Sequence, residues 1–113
     1  MKLRREPAGQ GTKHSDGKPP LHLINREALI REAEVLAFGA KKYAEWNWAK
    51  GLSRTDVARA AIGHIYAWLD QEDIDPESGL NHIAHARCEL GFLLEFIGRG
   101  TGIDDRRSKN EHS

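Results

Sequence analysis

Apolar residues recur with a helical period in the segment that follows Asn25. Asn25 is a suitable N-cap, so we predict a helix from there to about Phe38, where Gly39 favours a stop or a bend. On a helical wheel the apolar residues of this segment form one stripe: Leu29, Ile30, Ala33, Leu36 and Ala37. The stripe is expected to face the core, with charged side chains beside it.

Two further segments have the same period. The second helix is predicted from a cap at Ser53 or Thr55 to about Glu72, and the third from about Leu80 to Ile97. The second has a broad apolar side: Val57, Ala58, Ala61, Ile62, Ile65, Trp68 and Leu69. The third has a narrower stripe: Ala86, Leu90, Leu93 and Ile97. Pro and Gly in the short segment between these helices break helical structure, which indicates an antiparallel hairpin.

The sequence therefore predicts an all-α fold, a small helical bundle built on that hairpin. Residues 1–20 are rich in loop-forming types and the tail 101–113 is mostly polar, so both are expected to be irregular around a helical domain at 21–100. The chain has 113 residues, which is room for one domain. No run approaches the roughly 20 apolar residues of a membrane helix, and the start lacks a signal peptide. We expect no membrane association and a cytoplasmic location.

Charge and cysteine content narrow the functions further. Lys and Arg total 17, as do Asp and Glu, so no bulk basic field exists to hold a nucleic acid polymer. Cys88 is the only cysteine, which excludes an internal disulfide. A small ligand fits this composition better than a polymer does. A chain this short buries a modest core, so a homo-oligomer, a dimer or a tetramer, is expected.

An acidic loop follows the second helix. It places four carboxylates within six positions: Glu72, Asp73, Asp75 and Glu77. Crowded carboxylates repel one another unless a cation joins them, and a hard ion such as Mg²⁺ prefers oxygen ligands. The alternative is an acidic loop that simply faces water.

The third helix places His82, His85 and Glu89 on one face, because their spacings are three and four. The hairpin brings the start of this helix beside Glu72 and Trp68, with His64 lining the same groove. Acids, imidazoles and an indole together suit a metal and phosphate site. The alternative is that the histidines are hydrogen-bonded core residues without a ligand.

A third patch, residues 39–48, combines lysines with aromatic residues. Lysines bind phosphate and aromatic rings stack on bases, although the rings could equally cap the core.

Six sequence segments, which include parts of this patch, occur in the same order as in the phage dATP/dGTP diphosphohydrolase family and resemble it: DGKP, LHLI, FGAKKY, NW, EDIDPESG and HIAHA. The resemblance extends over about residues 15 to 96. Gln71 stands where that family usually has glycine.

The resemblance implies a fold and an activity. The family is related to MazG-like all-α nucleotide pyrophosphohydrolases, helical oligomers that use Mg²⁺ or Mn²⁺ to release a nucleoside monophosphate and pyrophosphate. It therefore implies an enzyme, a nucleoside triphosphate diphosphatase acting on dGTP or dATP in the host cytoplasm if the chain is phage-encoded. The implied catalytic residues are Glu72, Asp75 and His85. The implied metal region comprises His64, Glu72, Asp73, Asp75, Glu77, His82 and His85, and the implied substrate contacts are Lys42, Tyr43, Asn47 and Trp48. Trp68, which the hairpin places in the groove, is a further predicted substrate contact.

Some choices stay open at this point. Imidazole is a poor Mg²⁺ ligand but an acceptable Mn²⁺ ligand, so His82 and His85 could instead hold phosphate or relay a proton. Glu27 and Glu34 are further ligand candidates. Two other functions are consistent with the pattern: a non-catalytic helical module for nucleotide binding or oligomerisation, and a metal phosphohydrolase that cuts a different bond.

Overall fold

The structure, a computed structural model, describes residues 17–42 and 52–107. A short 3₁₀ helix, Leu21–Leu23, precedes three α-helices in these residues: α1 (Arg26–Lys42), α2 (Arg54–Leu69) and α3 (His82–Arg99). The described part contains no strand, only two isolated bridges, Ser53 with Ile103 and Ile74 with Asn81. The predicted all-α class is confirmed.

The first helix begins as predicted but ends later. Asn25 Oδ1 accepts the backbone N–H of Ala28 at 3.3 Å, as an N-cap does. The predicted end at about Phe38 was wrong, because α1 continues through Gly39 to Lys42. A glycine inside a helix costs only about 1 kcal/mol, and the lysines of the last turn favourably meet the negative end of the helix dipole.

The hairpin boundaries also differ from the prediction by two or three residues. Ser53 caps α2 by accepting the N–H of Asp56, but the helix ends at Leu69 and not near Glu72. It ends there because Gln71 has φ 72°, a left-handed conformation incompatible with a continuing helix. The third helix begins at His82 and not at Leu80, because Asn81 is its N-cap.

The third helix lies in the middle of the fold. It packs against α1 on one side and α2 on the other, and the start of α3 lies beside the end of α2. The predicted antiparallel hairpin is confirmed. Among the described residues Phe96 is the largest fully buried side chain, at 1% exposure, and Val35 of α1 joins Ala84 and Cys88 of α3 in a buried cluster. Burial raises the pKa of the Cys88 thiol to about 12, so this group stays protonated at neutral pH.

The apolar stripe predicted to bury α1 faces outward, which corrects the sequence analysis. Leu29 and Ile30 are 44% and 45% exposed, and the helix buries the opposite side through Val35. The other helices also leave large apolar side chains exposed: Ile62, Ile65, Trp68 and Leu69 of α2, and Ile83, Leu90, Leu94 and Ile97 of α3. One layer of three helices cannot cover all of these faces.

The segment after α3 is attached to the start of α2. Asp105 accepts hydrogen bonds from the hydroxyl of Ser53 at 2.5 Å and from the N–H and hydroxyl of Thr55 at 3.1 and 2.7 Å. The Arg54 guanidinium donates to the carbonyl of Thr101 at 2.8 Å. These contacts connect the polar tail, expected to be irregular, to the N-terminus of α2.

This attachment predicts a loss of stability in acid. Hydrogen bonds, first that from Ser53, lower the pKa of Asp105 to about 2, whereas an unfolded Asp has a pKa of about 3.9. Because the folded pKa is the lower one, the stabilisation is present above about pH 4 and is lost as the pH falls towards 2. Urea unfolding followed by circular dichroism should therefore show a steeper decline between pH 4 and 2 in the wild type than in Asp105→Asn. Asp56→Asn, which removes an exposed acid, is the control, and parallel curves for all three proteins would exclude this role.

None of the helices in the described residues has the length and apolar character required to cross a membrane.

Candidate metal and phosphate site

The loop between α2 and α3 folds around Asp75. The N–H of Asp75 donates to the carbonyl of Leu80, and the Asp75 carbonyl accepts the N–H of Gly79, both at 2.8 Å. Asp75 Oδ1 accepts the N–H of Glu77 at 2.8 Å. Gly79 has φ 74°, a conformation that glycine adopts without strain. The loop therefore fixes the Asp75 carboxylate, whose side chain is only 16% exposed.

Three histidines meet above this loop. His64 extends from α2, and His82 and His85 extend from the first turn of α3, where they are 5% and 8% exposed. Nδ1 of His64 lies 2.8 Å from Nδ1 of His82, and the rings of His64 and His85 stack with their centroids 4.6 Å apart. The hairpin thus brings together imidazoles that are 18 and 21 positions apart in sequence.

Asp75 completes a group that could hold a metal ion. Its Oδ2 lies 3.9 Å from Nδ1 of His64 and 3.8 Å from Nε2 of His85. One ligand atom each from His64, Asp75 and His82 lie within 4.8 Å of one another. We refer to these three residues as the HDH group. Two nitrogens and one carboxylate oxygen fit Mn²⁺ or another first-row divalent ion better than Mg²⁺, which prefers oxygen ligands.

Two further hydrogen bonds orient the imidazoles. Nε2 of His82 lies 2.7 Å from Oε1 of Glu72. A carboxylate only accepts, so this nitrogen donates to Glu72, and in the corresponding neutral tautomer Nδ1 has its lone pair towards the HDH group. The Glu72 side chain, which is 54% exposed, therefore contacts the back of His82.

Ser78 orients His85 and was missed by the sequence analysis. Its hydroxyl oxygen lies 2.7 Å from Nε2 of His85 and accepts the N–H of Leu80 at 3.1 Å. The hydroxyl keeps one hydrogen and a second lone pair, so it can pair with Nε2 of His85 in either tautomer of the ring and hold the imidazole in place. A serine in an acidic loop has no pattern that marks it, and only the folded loop shows the contact.

The surroundings of His64 and His85 lower the pKa of each imidazole and so favour the neutral form. Burial lowers the pKa of His64, the nearby His85 and His82 lower it further, and Asp75 opposes them. Burial is also the main cause that lowers the pKa of His85, against a raising effect of Asp75. Neutral imidazole is the form that binds metal or accepts a proton. One turn beyond His85, half-buried Glu89 has a carboxyl pKa raised by burial.

The remaining predicted site residues lie around the HDH group. The Lys42 ammonium contacts a carboxylate oxygen of Glu77 at 2.5 Å, so the end of α1 meets the loop. The backbone carbonyl of Asp73 accepts the N–H of His82 at 2.9 Å, and Asp73 lines an open hollow with Trp68. The structure thus brings Asp75 to the histidines and leaves Asp73 and Glu77 outside the HDH group.

The other predicted metal ligands and substrate contacts either form ion pairs away from the HDH group or lie outside the described residues. Glu27 and Glu34 both contact Arg31 on the surface of α1, at 2.8 and 3.5 Å. The predicted substrate contacts Tyr43, Asn47 and Trp48 lie outside the described residues.

Known proteins that are similar to this chain show the family to which it belongs. The model of the dATP/dGTP diphosphohydrolase N-terminal family matches residues 8–106. The chain belongs to this family. It is 37% identical over 97 residues to the dATP/dGTP diphosphohydrolase of Salmonella phage PMBT28, a match that covers 86% of this chain and 33% of that protein. The chain thus spans about a third of the length of this relative. No solved structure matches it.

Proposed function

We propose that this chain is a metal-dependent nucleoside triphosphate diphosphatase that hydrolyses a purine deoxynucleoside triphosphate to the monophosphate and pyrophosphate. The observation that carries the proposal is the HDH group, where two imidazoles and a half-buried carboxylate converge at the hairpin loop. The name of the phage relative, a dATP/dGTP diphosphohydrolase, supports the substrate class.

In this proposal the HDH group holds the divalent ion, Mn²⁺ or Mg²⁺. When bound, such an ion supplies Lewis-acid chemistry, since it polarises phosphoryl oxygens, offsets their charge and makes water more acidic. Glu72 orients His82 so that Nδ1 is directed inward, and the Lys42 ammonium, which is paired with Glu77 at the edge of the loop, would turn to a phosphate oxygen of the triphosphate.

His85 is the proposed proton acceptor. The pKa of this imidazole is lowered, which favours its neutral, proton-accepting form, and Ser78 lies 2.7 Å from Nε2 and holds the ring in position. Nε2 also lies 3.8 Å from Asp75, a distance at which the carboxylate stabilises the protonated ring. The proton lost by water as it attacks the α-phosphorus would go to this atom, and pyrophosphate would leave.

Product analysis tests the proposal. The pure chain is incubated with each of dATP, dGTP, dCTP and dTTP, in the presence of Mg²⁺, Mn²⁺ or a chelator, and the products are separated by ion exchange. We expect a purine monophosphate and pyrophosphate only when metal is present. A diphosphate or a free nucleoside would mean that a different bond is cut, and no turnover with any metal would favour a non-catalytic binding module.

The proposed enzyme works as a homo-oligomer, a dimer or a tetramer. The exposed apolar faces of α1 and α3 lie on one layer of helices, and a second copy would cover them. Leu94 is 70% exposed on α3, between Leu90 and Ile97, which are 45% and 59% exposed.

The Leu94→Glu variant should therefore fail to form the oligomer, because the substitution would place a charge in an apolar contact between copies. Sedimentation velocity at matched concentrations would show a shift to monomer. Leu21→Glu is the control, since Leu21 is equally exposed at 70% but lies outside the three helices. A wild-type chain that sediments as a monomer would contradict the proposed assembly.

A further inference from the structure

An open hollow at the end of α2 has no role in the proposed chemistry. It is lined by Trp68, Leu69, Gln71 and Asp73. The indole of Trp68 is 44% exposed, a large fraction for this residue type. Gln71 is the one non-glycine residue with positive φ in the described part of the chain, and it is one of the residues that line the hollow.

The hollow adjoins the HDH group. Trp68 follows His64 by four positions on α2, so the two side chains are neighbours on one helix face, with their Cβ atoms about 6 Å apart. On the other wall, the backbone of Asp73 is joined to the start of α3 by the 2.9 Å hydrogen bond from the His82 N–H. A nucleotide whose phosphates lie on the HDH group can therefore reach the hollow with its base.

We infer that this hollow is the base-binding subsite and that it selects guanine over adenine. The inference rests on the proposed function, because it places the phosphates of the same substrate on the HDH group. The indole of Trp68 offers a flat face on which a purine stacks. Asp73 carries a carboxylate that can only accept hydrogen bonds, and the Watson–Crick edge of guanine offers two adjacent donors, N1–H and the 2-amino group.

Adenine makes a poorer contact with Asp73. Its Watson–Crick edge offers one donor, the 6-amino group, and its N1 has a lone pair that would face the carboxylate, where both groups are acceptors. The Gln71 amide donates as well as accepts, so it can reach the 6-oxo group of guanine from the same side. The placement also explains why Asp73, a member of the acidic loop, lies outside the HDH group.

The experiment compares kcat/KM for dGTP and dATP in four variants and the wild type. Wild type should prefer dGTP, and Asp73→Asn should lower the dGTP to dATP ratio by about tenfold or more, the usual scale for a two-bond base contact. Asp56→Asn, which removes an exposed acid at the other end of α2, should leave the ratio unchanged. Trp68→Ala should raise KM for both purines, whereas Tyr66→Ala, an exposed ring outside the hollow, should not.

The outcomes separate this inference from the proposed function. If Asp73→Asn turns over substrate with an unchanged ratio, the guanine assignment is wrong while hydrolysis stands. If Trp68→Ala leaves KM unchanged and instead dissociates the oligomer in sedimentation, the hollow is a contact between copies and the inference is overturned. If the wild type hydrolyses nothing, the proposed function fails. Calorimetric titration with dGMP and dAMP then tests whether the hollow binds guanine in preference to adenine. Equal binding of both by wild type would overturn it, and a dGMP preference lost in Asp73→Asn would support it.

Discussion

Asp75→Asn should lower kcat/KM for purine triphosphate hydrolysis by about 100-fold or more, the scale of losing one charged partner at a reaction centre. The substitution is nearly isosteric, and the amide oxygen can still accept the N–H of Glu77 that Asp75 Oδ1 accepts at 2.8 Å. The loop should keep its fold, so the change removes the negative charge from the HDH group. Initial rates at saturating Mn²⁺, with circular dichroism as a folding check, measure the effect.

Asp70→Asn is the matched control for this variant. Asp70 is exposed at the end of α2, where its backbone caps the helix, and it lies outside the HDH group. It should retain nearly full activity. If Asp75→Asn also retained full turnover while folded, Asp75 would have no part in catalysis and the metal assignment would be wrong.

Phe96→Ala should cost about 3 to 5 kcal/mol of unfolding free energy, the usual range for a buried phenylalanine. Phe96 is 1% exposed, and its ring lies so close to Gly102 that a Cβ there would meet the ring at 3.0 Å. The same ring therefore supports α3 and the returning tail. Native domains have about 5 to 15 kcal/mol of stability, so the variant should be largely destabilised at 37 °C.

Urea unfolding of Phe96→Ala and Arg99→Ala would measure this contribution. Arg99 lies one turn further along α3 and forms an exposed ion pair with Glu95, a kind of contact worth at most about 1 kcal/mol. A loss for Phe96→Ala no larger than that for Arg99→Ala would show that the ring is not central to the core.

The capping residues and the helical period of apolar residues predicted the helices, but they did not predict which side of α1 is buried. Asn25 and Ser53 cap their helices because short polar side chains satisfy the first N–H groups, a signal visible in sequence. The apolar stripe through Leu29 and Leu36 indicates only that this face must be covered, and it does not tell whether the same chain covers it. Gln71 ends α2 early because its backbone is left-handed, which no side-chain pattern announces.

The candidate site, too, was predictable from the sequence only in part. Spacing placed His82 and His85 on one face, and the hairpin brought His64 and the acidic loop to them, so the region was predictable. The order of contacts within the loop was not, since it depends on backbone hydrogen bonds around Asp75. These backbone hydrogen bonds place the Asp75 carboxylate beside the histidines. They leave Glu77 in contact with Lys42 and bring Ser78 to His85.

Electron spin echo envelope modulation of Mn²⁺ added to the wild-type chain tests the metal site most directly, because it detects nitrogen nuclei bonded to the ion. We expect imidazole nitrogen modulation in the wild type, which is weakened in His64→Ala and in His82→Ala and retained in an exposed histidine variant, His22→Ala. Tight Mn²⁺ binding without any nitrogen modulation would contradict it, because the ion would then be held by oxygen atoms alone.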